Sequence, residues 1–489
     1  MVNWYFRSAT QLADAIRSKQ IKAVELVEIY KERYHRINPE LNAIITDDFE
    51  NALNKAADAD KALAEGTIWG PLHGVPITIK DNLEVTGMTC TAGSSDFKNH
   101  IPARNADVVE SLSNAGAIVL GKTNLPRFAE DLQTYNDLYG QTNNPFDVTK
   151  TPGGSSGGSA TALAAGLSSL EIGNDIGGSI RTPAHFCGIF GHKPSYGIVP
   201  LRGLVPPAPG IFTGDYFFNM DIVVNGPLAR SAEDLELAMD LIVQPDACDR
   251  KAVSINLPSA SQSSLSEFKI GFWMDDPECP VDKSIVSRLE ALAESLGNAG
   301  AQVVHERPDV LFPRGFDLFS FLLNSVLGQA APARVYKKWI EMEPELEDSV
   351  SGYQYKQIKG AIQRHRDWLM RDAERQIMRQ KWAEYFERVD LLICPVAPVA
   401  AFPHDHGSWF KRTLSVNGEQ LPYANIMGWA GLTNAVYLPA TVAPVGFTPE
   451  GLPIGIQIVA PYLEDKRSIR FAALLEKHLG GFVPPPGFA

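Results

Sequence analysis

Cysteine is scarce in this 489-residue chain. The five present, Cys90, Cys187, Cys248, Cys279 and Cys394, are odd in number and widely spaced, with no CxxC pair. That pattern excludes a disulfide scaffold and a zinc ribbon, and no metal or organic cofactor is expected. No stretch reaches the roughly 18 to 20 apolar residues of a membrane span. The opening MVNWYFRSATQLADAI lacks a basic segment followed by an apolar core, so no secretory leader is expected and the chain is assigned to the cytoplasm. Lys and Arg total 44 against 57 Asp and Glu, a formal net charge of −13. Such a surface repels nucleic-acid phosphate unless a basic patch overrides it, and none is dense enough to do so. The most basic stretch, Lys356 to Arg388, mixes Arg364, Arg366, Arg371, Arg375, Arg379 and Arg388 with acids, and reads as the solvated face of a long helix. No histidine stands in a recognisable Ser-His-Asp context; His73 and His185 are the nearest to the motifs below.

What is present reads as an α/β protein: a large mixed β-sheet core flanked by helices. Ser8 and Gln11 form a Ser-x-x-Gln capping signature opening two short helices over 8–37, and 52–65 is Ala-rich and helical. Val75 to Lys80 is a β-branched run that delivers Lys80 at the end of a buried strand. A helix over 107–116, a strand over 117–122, a helix over 160–167 and a strand over 170–173 continue the alternation. Residues 197–222 are a Pro/Gly-rich loop, a position where lids and pocket walls are common. A helix over 284–298, a strand at 302–304 and strands at 391–395, 442–445 and 455–459 complete the sheet. One domain, 1–489, is expected, with its core at 65–230 and a variable, mostly helical insertion at 245–390 over the active site.

Two Gly/Ser clusters carry the chemistry: Gly153-Gly154-Ser155-Ser156-Gly157-Gly158-Ser159 and Asp175-Ile176-Gly177-Gly178-Ser179-Ile180-Arg181. Taken singly, either is most simply a loop or linker. Apolar helices and strands crowd both too closely for a flexible linker. Neither has the lysine of a phosphate-binding loop, and the G-x-G-x-x-G dinucleotide fingerprint is absent. Cleaving a weak electrophile such as an amide needs an activated hydroxyl and a stabilised oxyanion. Successive N–H groups at Ile176, Gly177, Gly178 and Ser179 can form a concave nest for that oxyanion. A lysine desolvated enough to be neutral, such as Lys80, can replace histidine as base.

Lys80, the GGSSGGS cluster and the stretch Gly173-Asn174-Asp175-Ile176-Gly177-Gly178-Ser179-Ile180-Arg181-Thr182-Pro183-Ala184 together resemble the amidase signature family. Gly70–Pro76, Gly140–Pro145, Gly191-His192-Lys193-Pro194 and Leu452–Gln457 extend the likeness. The resemblance is strong over 65–230 and nearly absent over 245–390. It implies a Ser–cis-Ser–Lys triad in which Ser179 is the nucleophile, Ser155 the bridge after a cis Gly154–Ser155 bond, and Lys80 the base. It also implies an oxyanion hole of Ile176, Gly177 and Gly178, with Ser156, Asp175 and Arg181 as supports.

The substrate is expected to be a neutral, apolar or aryl amide, with carbamates (urethanes) and esters open to the same acyl transfer. The principal alternative is the glutaminase subunit of a tRNA-dependent amidotransferase. Such a component must hold the charged ends of glutamine, whereas Asn425 to Asn434 is uncharged. A non-catalytic binding protein is disfavoured by the intact Lys80, Ser155 and Ser179. Leu132, Tyr135, Leu204 and Ile211 are the expected substrate contacts, with Val205 and Phe212 beside them. Phe316, Leu318, Phe319, Phe321 and Leu322 mark an apolar helix better read as core packing than as pocket wall. The partner is a small molecule rather than a nucleic acid or membrane, and the chain a monomer or homodimer.

Overall fold

The computed structural model describes residues 3–205, 220–350 and 352–488; Ile211 and Phe212, two expected pocket residues, lie outside them. Eleven strands form one mixed sheet: β1 (Ile44–Asp47), β2 (Pro76–Lys80), β3 (Ile118–Thr123), β4 (Leu170–Asp175), β5 (Phe190–Lys193), β6 (Val224–Ala229), β7 (Lys269–Phe272), β8 (Gln302–Val304), β9 (Leu391–Pro395), β10 (Ala440–Phe447) and β11 (Pro453–Val459). Their spatial order is β1-β3-β2-β4-β6-β5-β10-β11-β9-β7-β8. Parallel pairs lie at β3/β2, β2/β4, β9/β7 and β7/β8, and the centre is antiparallel. Helices cover the sheet, so β2 and β4 are buried along their whole length, the polar Thr78, Lys80, Glu171, Asn174 and Asp175 included.

The Ser8 cap is confirmed: its hydroxyl accepts from Gln11 N–H, and the Gln11 side chain returns the bond. Four strands of the sheet, β1, β5, β6 and β7, lie outside the sequence expectation. In β6 the run Val-Asn-Gly-Pro-Leu-Ala breaks every strand propensity rule at Gly226 and Pro227. The glycine is required there, since a Cβ on Gly226 would stand 2.3 Å from His192 O across the sheet. Strands β5 and β7 are only four residues each, too short to show a period.

Within 245–390, β7, the helix Lys283–Asn298 and β8 extend the sheet edge, so the helical layer begins at Phe312. It comprises Phe312–Leu327, Ala333–Met342, Gly352–Ala361 and His365–Phe386. The first of these sits against Gly428–Ala435 so closely that a Cβ on Gly431 would meet the Phe319 ring at 2.4 Å. The reading of 356–388 as a wholly solvated face needs correction at Arg375. That guanidinium is buried and holds both Asp221 oxygens at 2.8 Å, together with Asp372, because the His365–Phe386 helix turns it inward over the Tyr437 ring. Among the described residues, no helix is long and apolar enough to cross a membrane.

Candidate active site

Parallel pairing of β2 with β4, Thr78 opposite Glu171 and Ile79 opposite Ile172, brings the carboxyl ends of both strands to one edge. Such edges are where open α/β sheets bind ligands. Lys80 ends β2 and is fully buried. Its Nζ lies 2.7 Å from Ser155 Oγ and 2.8 Å from Asn174 Oδ1. Asn174 in turn donates to Asn82 Oδ1 at 2.8 Å. Neither asparagine is singled out by the sequence motifs, although a buried lysine needs an acceptor and Asn174 lies inside the family-like stretch Gly173 to Ala184. Burial pushes the Lys80 ammonium down to about 7, against the opposing pull of the Asp175 and Glu171 carboxylates.

Ser155 follows a cis Gly154–Ser155 peptide, as the family resemblance implies. Only glycine fits at 154, where a Cβ would meet Asp131 O and Gln133 N at 2.8 Å. Ser156 N–H donates to Ser179 O at 3.0 Å and so staples the two Gly/Ser clusters together. The support from Ser156 is therefore its backbone: the buried hydroxyl has no partner among the described residues. Ser179 is almost fully buried and lines two cavities, of about 540 and 80 Å³. Its hydroxyl forms no hydrogen bond among the described residues; the Lys80–Ser155 link is made, while the Ser155–Ser179 link is open.

Asp175 organises the turn that carries Ser179. It accepts from Gly178 N–H at 2.9 Å and Ile180 N–H at 3.1 Å, and pairs with Arg181 through Nε at 3.0 Å and Nη2 at 2.9 Å. Burial alone would raise this carboxyl, but the Arg181 charge and these hydrogen bonds outweigh it and hold it well below the carboxylate range. Arg181 is satisfied further by Ala430 O, Thr433, Asn434 and Gln457. One oxyanion assignment is thereby corrected: the Gly178 N–H is consumed by Asp175. The N–H groups of Ile176, Gly177 and Ser179 are left without an acceptor among the described residues. Gly178 keeps another role, since its φ of +111° is a conformation L side chains rarely adopt.

The expected pocket residues divide. Leu132 lines the larger cavity and Leu204 the smaller one. Tyr135 lines neither: its ring stacks on His406 with centroids 3.8 Å apart, and its hydroxyl meets Arg412 at 2.9 Å. The apolar helix contributes through its last turns, Leu323, Asn324 and Leu327, rather than through Phe316 to Leu322. Within that earlier run, Phe319 packs behind Gly177, its ring 3.1 Å from where a Cβ would stand. His73 and His185 are spent elsewhere, bonded to Trp69 N–H and Ala59 O, and to Gly455 N–H and Val399 O.

A family model described as Amidase matches residues 25–469. The chain is 33% identical to Fatty-acid amide hydrolase 2-A of Danio rerio, covering 98% of this chain and 90% of that protein. It is 31% identical to a glutamyl-tRNA(Gln) amidotransferase subunit of Gloeobacter violaceus, covering 96% of each. Among solved structures, a bacterial aryl acylamidase of the amidase signature enzymes superposes with a TM-score of 0.77 at 26% identity, over 97% of this chain and 96% of that one.

Proposed function

This chain belongs to the amidase signature family, and from that premise we propose that it hydrolyses neutral apolar or aryl amides through a seryl acyl-enzyme. Ser179 Oγ attacks the carbonyl carbon, and its proton passes through Ser155 to neutral Lys80. The N–H groups of Ile176, Gly177 and Ser179 hold the oxyanion. As the C–N bond breaks, Lys80 returns the proton through Ser155 to the leaving amine. Water then attacks the acyl-enzyme by the same relay, releasing the acid and regenerating Ser179. Hydroxyl contacts of the Ser155–Ser179 kind commonly close only in the substrate complex.

The observation that carries this reading is a fully buried lysine, held at 2.7 Å from Ser155 and shifted to about 7. The lining by Leu132, Leu323, Leu327 and Met427 supports an apolar or aryl substrate body. A glutaminase pocket would place cationic and anionic clamps on the segment Asn425 to Asn434. There, Thr433 and Asn434 instead hold Arg181. The test is hydrolysis by the purified chain alone on matched aryl amide, ester, carbamate and glutamine substrates. Turnover of the aryl amide without a partner is expected. Activity on glutamine only, and only with a second protein component, would replace this reading with the amidotransferase one.

A further inference from the structure

The two cavities at Ser179 meet at a waist that includes Phe128, Ala129, Glu130, Ile176 and Leu327. Glu130 therefore lines both of the cavities onto which Ser179 opens. Every other carboxylate lining these cavities is engaged. Asp96 pairs with Arg127 at 3.1 Å, Asp131 with Arg412 at 2.7 Å, and Asp175 with Arg181 at 2.9 Å. Glu130 alone has no hydrogen bond or ion pair on its side chain among the described residues.

The segment that presents it is held rather than loose. Phe128 and Ala129 both adopt left-handed backbone, φ 55° and 60°, and Phe128 N–H is tied to Ala92 O at 2.7 Å. Side chains other than glycine keep that conformation only where their surroundings enforce it, and such positions cluster at ligand clamps. The larger cavity is also aromatic, with Phe97, Phe128, Trp339, Tyr353, Trp409 and Phe410 in its lining. Aromatic faces attract an ammonium group, and a net charge of −13 draws cations toward the protein.

Resting on the amidase reading above, we propose that Glu130 is a specificity-determining residue that selects amides carrying a cationic amine close to the scissile bond. This extends the same site beyond neutral substrates. A wholly neutral substrate gives this exposed carboxyl nothing to pair with, and the nearest charge of opposite sign, Arg127, is already held by Asp96. A bound ammonium supplies the missing partner. The surrounding protein pushes the Glu130 carboxyl up to about 7, and a neighbouring cation favours its charged form.

Two isosteric pairs test this, one for each side of the bond. On the acyl side, 5-aminopentanoyl-4-nitroanilide is compared with hexanoyl-4-nitroanilide. On the amine side, N-(3-aminopropyl)hexanamide is compared with N-butylhexanamide. In the unaltered protein, the cationic member of at least one pair is expected to have a kcat/KM higher by about tenfold or more. Glu130→Gln should collapse that ratio toward unity. The ratio is the readout because a merely structural defect lowers both members together and leaves it unchanged. Hydrolysis of the neutral members with no preference in either pair, or a preference that survives Glu130→Gln, overturns the assignment while leaving the amidase reading in place. Hydrolysis of none of the four compounds overturns both.

Discussion

On one side of the larger cavity, Ile176, Gly177 and Ser179 rest on a buried polar lattice. Asp175, Arg181, Thr433, Asn434 and Gln457 satisfy one another there, with Lys80, Ser155, Asn174 and Asn82 alongside. On the other side, Leu323, Leu327, Val335 and Trp339 present mainly apolar surface from two helices. The floor is bound by directional contacts, each buried group needing its partner. The roof is bound by packing, which tolerates exchange of one apolar shape for another. The floor can change little without losing its geometry, whereas the roof can change shape without touching a polar group of the floor.

Three perturbations separate the two surfaces. The largest effect belongs to the floor. Ser179→Ala should lower kcat by about 10⁴-fold or more on any accepted amide, while thermal unfolding stays near that of the unaltered chain. Activity within tenfold would show that another group is the nucleophile. The second is the pH profile of kcat/KM on a non-ionising amide. Lys80 must be neutral to take the proton, and its pKa is lowered to about 7. The rate should therefore rise about tenfold per pH unit below 7 and level off above 8. A rate flat from pH 6 to 9 would remove Lys80 from the relay. The smallest effect belongs to the roof. Trp339→Ala should raise KM for aryl amides about three- to tenfold with kcat little changed, because the lost contact serves ground state and transition state alike. A fall in kcat of the size expected for Ser179→Ala would erase the distinction between floor and roof.

Much of the floor was legible in the chain itself. Lys80 at a strand end and two Gly/Ser turns point to a serine site without histidine, and the family resemblance assigned Ser155 and Lys80 their places. What escaped is instructive. Gly178 looked like an oxyanion donor because glycine N–H groups are accessible, but which N–H is spent on Asp175 depends on how the turn closes. Asn82 meets Asn174 only after β2 and β4 are laid side by side. Tyr135 carries an aromatic ring suited to a pocket, yet stacking on His406 and a bond to Arg412, both far along the chain, turn it elsewhere. Arg375 looked solvated because its neighbours are charged, while its actual partner, Asp221, lies in another part of the chain. Local pattern registers what a residue can do; these outcomes depend on how a turn closes and on contacts 92 to 277 residues away along the chain.

The order of the strands also bears on how the molecule is made. The last two strands, β10 and β11, enter the sheet between β5 and β9, and Arg181 takes four of its contacts from residues 430–457. A ribosome delivers Lys80 and Ser179 long before Gln457. A nascent chain therefore carries an unfinished floor until residues 430–457 have emerged, and the catalytic turn is completed well after its own residues are made.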